Sequence, residues 1–382
     1  VYAKDTLGYE TNEESIEVTT NAYVNPTVNN VTVTDTTNDS ISVSVSASGG
    51  TNNVATYYYS INNGSYTSSS SNTKTFTGLS KGTTYTIKVY VKDTNGVSSS
   101  EKTTSAETES LTYICTTGTN LATCIKNQYT SQGTNGLYYH TSSLENSASD
   151  NSYRYAGANP NNYVCFGSDA SMCPSDNLYR IIGVFGNEVK LIKSTSYGDF
   201  AWDSGNDNTW STSDIKNTLN STYYNTLNAT WQNKIATHTW KVGGMNGNNG
   251  YGNGAQTAYS YEVGSSSSST TWSGKIGLMY VSDYYYGATN TYWTYPGYSY
   301  SGASYDYRAA AGSNWLPLGD YEWTISRNMV IAYYAFHIDV SNYVHGGIYV
   351  FKLEAVRPCF YLTSSTTYVS GSGTSSDPIR IN

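Results

Sequence analysis

The chain has 382 residues, 38% hydrophobic and only 13% charged, with 40 tyrosines and a formal net charge of −8. So few charges and so many aromatic rings exclude a disordered polyelectrolyte and a flexible linker; tyrosine instead supplies large contact area with few rotatable bonds. No basic stripe is offered to a phosphate backbone and no apolar run approaches the roughly 18 residues that cross a bilayer, so neither a nucleic-acid partner nor membrane insertion is expected of this stretch.

Val1-Tyr-Ala-Lys-Asp-Thr-Leu-Gly8 recurs 88 positions later as Val89-Tyr-Val-Lys-Asp-Thr-Asn-Gly96. The period is that of one small β-sandwich. Residues 1–22 are therefore expected to be the C-terminal strands of a preceding module, and 23–108 a complete copy. The abrupt start inside a strand-like segment, with no export signal, reads as a fragment of a longer protein. In the complete copy, Val31 and Val33 alternate with threonine, and Ile41, Val43 and Val45 with serine, the period of a strand with one buried face. Asn62-Asn63-Gly64 marks a turn. Leu79 and Tyr85, followed by Ile87, Val89 and Val91, resemble the tyrosine corner of fibronectin type III domains. That resemblance implies an all-β sandwich acting as a spacer.

Residues 109–112 read as a linker, and 113–382 as one domain of mixed strands, short helices and Gly/Asn/Ser-rich loops. All five cysteines lie there. The spacings of Cys115, Cys124, Cys165 and Cys173 suit short-loop disulfides and do not suit zinc. Cys359, inside an apolar run, is expected to be a buried free thiol. Plausible disulfides and low charge point outside the cytoplasm. Leu121–Gln128 has helical spacing, as does Ser211–Tyr223, where Ser211-Thr-Ser-Asp214 forms a cap before Ile215, Leu219 and Tyr223. Residues 230–236 add another helix. Residues 180–185 and 188–192 form a hairpin across Gly186-Asn187. Residues 275–281 and 354–362 read as buried strands, 254–270 and 287–312 as loops.

Catalytic signals are weak. None of the common nucleophile-elbow, zinc-protease or phosphate-loop patterns occurs, so no enzyme is expected. His238 reads as a packed or surface residue. Asp320, Glu322 and Asp283 could supply a glycosidase's paired carboxylates, but solvation and hydrogen bonding account for them more simply. Asp203-Ser-Gly-Asn-Asp207-Asn208 offers hard oxygens to calcium, yet also reads as an Asx-rich turn. No resident cofactor or metal is expected, calcium being the alternative.

The segment 328–351 has a different texture. Phe336, Ile338 and Val340 are expected to face a core while His337, Asp339 and Ser341 face out. Tyr343, His345, Tyr349 and Phe351 fall on the opposite parity from Val344, Ile348 and Val350. The outward set combines rigid aromatic anchors with adaptable hydrogen bonders, the chemistry of a paratope.

Several blocks resemble a family of gut-bacterial surface proteins: Ser152–Gly167, Lys234–Gly244, Lys275–Asp283, Tyr321–Arg327, and Val356–Leu362 running to Asp377-Pro378. The C-terminal pattern is similar to the variable proteins of diversity-generating retroelements. This resemblance implies an α+β C-type-lectin-like fold over 113–382, with a segment of about 328–351 re-cut by mutation at asparagine codons. Met329 and Lys352, which are not products of such codons, would be fixed. The ligand-binding residues it implies are Asn328, Val330, Ile331, Tyr333, Tyr334, His337, Asp339, Ser341, Asn342, Tyr343, His345, Tyr349 and Phe351, with tyrosines of 284–307 at the rim. The glutamate-proline-asparagine triplet of calcium lectins is missing, so the fold does not imply sugar. The function implied is a cell-surface adhesin or receptor for an external protein or glycan. The alternatives are a glycan-active enzyme or calcium-dependent lectin, and a structural subunit of a surface fibre.

Overall fold

The computed structural model describes residues 1–37, 39–108, 115–297 and 310–382. The chain divides into two compact units, Val1–Leu111 and Thr112–Asn382.

Among its described residues the first unit holds seven strands: β1 (Thr27–Thr36), β2 (Ser40–Ser48), β3 (Val54–Ile61), β4 (Thr67–Ser69), β5 (Thr73–Thr77), β6 (Thr84–Asp93) and β7 (Lys102–Glu107). They form two sheets, β1-β2-β5 and β4-β3-β6-β7. Ile41, Val43 and Val45 on β2 and Ile87, Val89 and Val91 on β6 are buried, so the alternation seen in the sequence is what builds the core. Asn62 and Asn63 both adopt left-handed φ, 46° and 59°, in the turn after β3. The Tyr85 hydroxyl accepts from the Ser80 N–H at 2.8 Å, which is the hydrogen bond of a tyrosine corner. Strand order and corner together make this unit a fibronectin-III-like sandwich.

The repeat is visible as geometry. Asp5 Oδ1 accepts from the N–H groups of Leu7 and Tyr9, Gly8 has φ 89°, and Lys4 bridges Glu10. In the second copy, Asp93 Oδ1 accepts from Asn95 and Val97, Gly96 has φ 81°, and Lys92 bridges Ser98. Residues 1–22 nevertheless form no strand beyond that bridge, and they are exposed throughout. An isolated hairpin with no apolar face to cover cannot hold a ladder.

The second unit is built on two larger sheets. Its strands are β8 (Leu137–Tyr139), β9 (Tyr153–Tyr155), β10 (Tyr163–Cys165), β11 (Leu178–Phe185), β12 (Glu188–Lys193), β13 (Gly198–Ala201), β14 (His238–Lys241), β15 (Thr271–Gly274), β16 (Ile276–Gly277), β17 (Glu322–Arg327), β18 (Tyr334–Ile338), β19 (Val344–Tyr349), β20 (Leu353–Val356), β21 (Cys359–Tyr361), β22 (Tyr368–Ser370) and β23 (Arg380–Ile381). One sheet runs β16-β21-β12-β11-β9-β8, with β10 also on β11; the other runs β13-β20-β17-β18-β19. Short helices α1 (Leu121–Lys126), α2 (Asp214–Asn217), α3 (Ala229–Gln232), α4 (Gly247–Tyr251), α5 (Gly254–Glu262) and α6 (Val281–Tyr286) pack among them. Trp202, Trp210, Trp240, Trp293 and Trp323 are wholly buried and fill the core. Both ends of the unit are stitched together: Asn120 bridges Thr367, and the Thr117 hydroxyl donates to the Val369 carbonyl at 2.7 Å.

Cys115 pairs with Cys124 and Cys165 with Cys173, while Cys359 is free and buried. Burial pushes the Cys359 thiol up to about 12, so it stays protonated and unreactive. The hairpin over 178–193 turns at Gly186-Asn187 as the sequence suggests. The cap of α2 is Ser213, which accepts from the Lys216 N–H. Three readings need correction. Residues 254–262 are a helix, not a loop; α5 buries only Ala255, Ala258 and Glu262 beside its first glycine, so it lacks the large apolar stripe that announces a helix. Within 275–281 only Ile276–Gly277 pairs as a strand, because Val281 starts α6, whose first N–H groups are taken by the buried Glu262 carboxylate. The expected strand over 354–362 is two strands, in different sheets, separated by Arg357-Pro358; proline has no N–H to give a ladder.

Candidate functional site

The segment 328–351 forms a turn followed by the β18–β19 hairpin, at the edge of the five-stranded sheet. Its backbone is held from beneath. Asn328 Oδ1 accepts from the N–H groups of Val330 and Ile331 at 3.0 and 3.2 Å, and its Nδ2 donates to the Gly346 carbonyl at 2.6 Å. Asn208, itself fully buried, donates Nδ2 to the carbonyls of Asn328, Ile331 and Tyr334 at 2.8, 2.9 and 2.7 Å. A bulge interrupts the ladder between Ala335 and His337, opposite Gly346 and Gly347. Gly346 has no alternative: a Cβ there would lie 2.5 Å from the Phe336 ring.

Aromatic and aliphatic side chains crowd the outer surface. Among the described residues of this unit, the exposed large hydrophobic side chains other than Met172 and Tyr261 all lie between Tyr321 and Leu353. Tyr333 and Tyr349 stack with centroids 5.7 Å apart, Tyr334 meets both edge-on, and Phe351 lies 5.2 Å from Tyr349. Met329, Val330 and Leu353 are 52%, 72% and 71% exposed. Met329, expected only as a fixed position, and Leu353, which the sequence did not bring forward, belong to this surface. Leu353 continues the parity of Tyr349 and Phe351, which is the signal that could have found it.

Other candidates fall elsewhere. Tyr334 and Tyr349 are direct cross-strand partners, and so are His337 and His345. Three positions separate Tyr334 from His337 on one strand, so alternation directs them to opposite sides of the hairpin. The single face expected of 328–351 is thus two surfaces. His337, expected to face out, is only 3% exposed: the Tyr321 ring stacks on it at 5.6 Å and its Nδ1 lies 2.8 Å from Glu354 Oε2. Asn328 is buried as well, and its polar atoms hold the turn, so neither residue offers contact area to a partner. Val340, expected in the core, is 47% exposed. His345 and Tyr343 are half-buried; His345 Nε2 lies 3.1 Å from Asp339 Oδ2, while Asp339 Oδ1 caps the tip by accepting from Ser341 and Tyr343. Burial lowers the pKa of His345, with Asp339 opposing and His337 adding to it, so the imidazole is neutral at pH 7. Ser341 is exposed, and Ile331 and Asn342 half-buried, Asn342 in the left-handed region at φ 68°. The rim tyrosines are corrected too: Tyr284, Tyr285 and Tyr286 are buried in the core, Tyr292 and Tyr295 are partly buried, and residues 298–307 lie outside the described residues.

The carboxylates weighed for catalysis have structural partners. Glu322 is buried against Arg357, whose Nε and Nη2 donate to it at 2.6 and 2.8 Å; burial still raises its pKa above the ordinary value. Asp283 is paired with Arg154 and Lys190, and Asp320 accepts from the Tyr321 N–H. In the 203–208 loop, Asp203 Oδ1 accepts from the Asp207 N–H and Asp207 Oδ1 from Thr209, an Asx-turn arrangement. Among the described residues no three His, Cys, Asp or Glu side chains come together as metal ligands. His238 Nδ1 lies 2.9 Å from Glu188 Oε2, with its ring stacked on Tyr361 at 3.7 Å.

No protein-family model and no curated protein matches this chain. Solved structures similar to it share only part of its length. A chitinase from Bacillus thuringiensis is 21% identical over 24% of this chain and 15% of its own, with a TM-score of 0.22. A PKD domain of a Vibrio cholerae metalloprotease is 16% identical over 23% of this chain and 100% of its own, at 0.20. A human fibronectin III domain is 16% identical over 26% of this chain and 92% of its own, at 0.21. The chain thus spans about a seventh of the chitinase it resembles. The fibronectin-III-like character of the first unit rests on its own strand order and tyrosine corner, and the two disulfides suit an oxidising environment outside the cytoplasm.

Proposed function

We propose that this chain is the outer part of a bacterial cell-surface protein, in which fibronectin-III-like modules carry a C-type-lectin-like head that binds an external partner, and that the head belongs to the diversity-generating-retroelement kind. The observation that carries the reading is the concentration of exposed aromatic and aliphatic side chains on one hairpin whose backbone is fixed from within by Asn208, Asn328 and Gly346. Such a hairpin can exchange outward side chains while its fold-bearing residues stay. The binding set is Val330, Tyr333, Tyr334, Tyr349 and Phe351, joined by Met329 and Leu353; Ile331 and Ser341 flank it, and Asp339, Asn342, Tyr343 and His345 shape the tip. A protein partner is favoured over a glycan. The exposed Met329, Val330 and Leu353 beside these rings offer a glycan little to hydrogen-bond and suit an apolar protein surface. Neither a catalytic step nor a resident metal is part of this reading.

The test is genomic and biochemical. Sibling copies of the gene should differ chiefly at the exposed positions of 330–351 and keep Asn208, Asn328, Phe336 and Gly346, with a reverse transcriptase and a near-copy of that coding stretch close by. Substitutions spread evenly over the head would refute the reading. Binding to a glycan array that Tyr349→Ala abolishes would transfer the hairpin to a sugar partner.

A further inference from the structure

Residues 109–114 join the sandwich to the head, so a pull on the stalk enters the head at Cys115. The stretch that follows is thinly held. Thr116, Thr117 and Gly118 are exposed, and Thr119 and Asn120 half-buried. Among the described residues, three backbone hydrogen bonds seam this stretch to the C-terminal segment. Gly118 N–H donates to the Tyr368 carbonyl at 2.9 Å, Tyr368 N–H to that of Thr119 at 2.8 Å, and Leu121 N–H to that of Thr366 at 2.9 Å. The Thr117 hydroxyl and the Asn120 amide add side-chain bonds to the carbonyls of Val369 and Ser364. Beyond this seam the chain enters the core. Leu121, Ala122, Cys124 and Ile125 of α1 are at most 2% exposed, and the helix packs on β11 and β12. A seam of a few surface bonds is a far weaker hold than a helix whose apolar side chains are sealed in the core.

Tension follows the shorter of two parallel paths and leaves the longer one slack. From Cys115 to Cys124 the main chain takes nine residue steps, which would stretch to about 30 Å, whereas the disulfide holds the two Cα atoms 5.4 Å apart. We propose that the Cys115–Cys124 bond is a tension bypass: it passes the pull of the stalk directly into the buried helix α1, so that residues 116–123 and their seam with 366–369 stay closed under force. With the bond in place, the head yields only when its core does. Without it, the seam yields first and the stalk end of the head lengthens while the core is still folded. Tension on this linker presupposes the surface-protein reading above, in which the stalk holds one end and a partner holds the hairpin.

Optical-tweezers pulling of the full chain tests this, with both disulfides formed, one handle at the N-terminus and the other on a cysteine replacing Ser341, exposed at the hairpin tip. The wild type should reach core unfolding with no earlier step. Cys115→Ser/Cys124→Ala should first lengthen by at most about 25 Å, nine residue steps less the 5.4 Å already spanned. Unfolding of the sandwich releases about tenfold more chain and is not confused with that step. Cys165→Ala/Cys173→Ala, which removes the disulfide remote from the entry, should show no such step. Thr117→Val, which deletes one bond of the seam, should speed the early step about fivefold in the Cys115→Ser/Cys124→Ala background and leave forced unfolding of the otherwise wild-type chain unchanged. That last comparison replaces no native cysteine, so it decides the matter even where the cysteine variant fails to fold. An early step in the wild type, none in Cys115→Ser/Cys124→Ala, or faster forced unfolding of the wild-type chain on Thr117→Val would each overturn the proposal. The handle stands in for the partner, so none of these outcomes depends on what the hairpin binds, which sibling sequences judge separately.

Discussion

Replacing Asn208 by alanine should loosen the hairpin without touching it. The Asn208 amide reaches three carbonyls of the 328–334 turn at 2.7 to 2.9 Å, and its backbone N–H donates to a fourth, Ala332, at 2.7 Å. The alanine variant keeps the backbone bond and removes two side-chain N–H groups from a fully buried spot. Of the three carbonyls, that of Ile331 keeps the Tyr334 N–H and that of Tyr334 keeps the Asn328 N–H, so only the Asn328 carbonyl loses its donor outright; at about 1 kcal/mol per lost bond and 1–2 kcal/mol for the stranded carbonyl, the unit should lose roughly 2–3 kcal/mol. Asn208→Asp should be at least as damaging, since carboxylate oxygens would then face the same carbonyls. All eight tryptophans lie in the second unit, so urea unfolding followed by tryptophan fluorescence reads that unit alone. Hydrogen exchange should lose protection first at the amides of Val330, Ile331 and Tyr334. A stability change below about 0.5 kcal/mol, with exchange at those amides unaltered, would refute the claim that Asn208 fixes the turn.

Three further outcomes are expected. Glu322→Gln or Arg357→Met should destabilise by about 3–5 kcal/mol because each strands a buried charge or donor, whereas the Glu322→Leu/Arg357→Met double variant should recover most of the loss; a double variant as unstable as the sum of the singles would contradict this. His140 is held well below its ordinary pKa by burial first and by Arg154 second, so the folded chain keeps it neutral while the unfolded chain takes up a proton below about pH 6.5. Stability should therefore fall as pH drops from 6.5 towards 5, by up to about 1.4 kcal/mol per unit from this group, and unfolding of His140→Asn should show a shallower slope. His238 and His345, shifted in the same direction but more exposed, add less. Tyr85→Phe should cost the sandwich about 1 kcal/mol by removing the acceptor for Ser80, seen as a lower far-UV dichroism midpoint with the tryptophan transition unmoved.

The parts of the architecture that could be read from the chain are those written in periodicity. Alternation at Ile41, Val43 and Val45 specified a strand, as did the apolar run before Gly186-Asn187, and cysteine spacing anticipated both disulfides. What escaped had no periodic signature. α5 packs through alanines and one glutamate, and α6 buries every side chain from Val281 to Tyr286, so neither shows a polar and an apolar face. At the candidate site, parity separated the buried Val350 from the exposed Tyr349 and Phe351, but the bulge at Gly346-Gly347 broke it further back, setting His345 and Tyr349 on opposite sides of the hairpin. It failed at His337 because Tyr321, sixteen positions earlier, lies over the imidazole, and pattern within a strand cannot reveal what another segment lays on top. Asn328 was misassigned for a related reason: an asparagine that braces a turn and one that greets a partner have the same local spelling.

Along the chain, the hairpin is preceded and followed by strands of its own sheet. β17 precedes it and β20 follows it, and the two lie side by side in parallel with Glu322 opposite Ala355. Directly afterwards the chain crosses at Arg357-Pro358 into the other sheet, where β21 pairs with both β12 and β16. Adding or deleting residues within β18 would therefore shift its register against β17, whereas the exposed tip at Val340-Ser341 lies outside that constraint. Under the proposed diversification, the paired stretches would exchange letters at constant length, while the tip could also change in size.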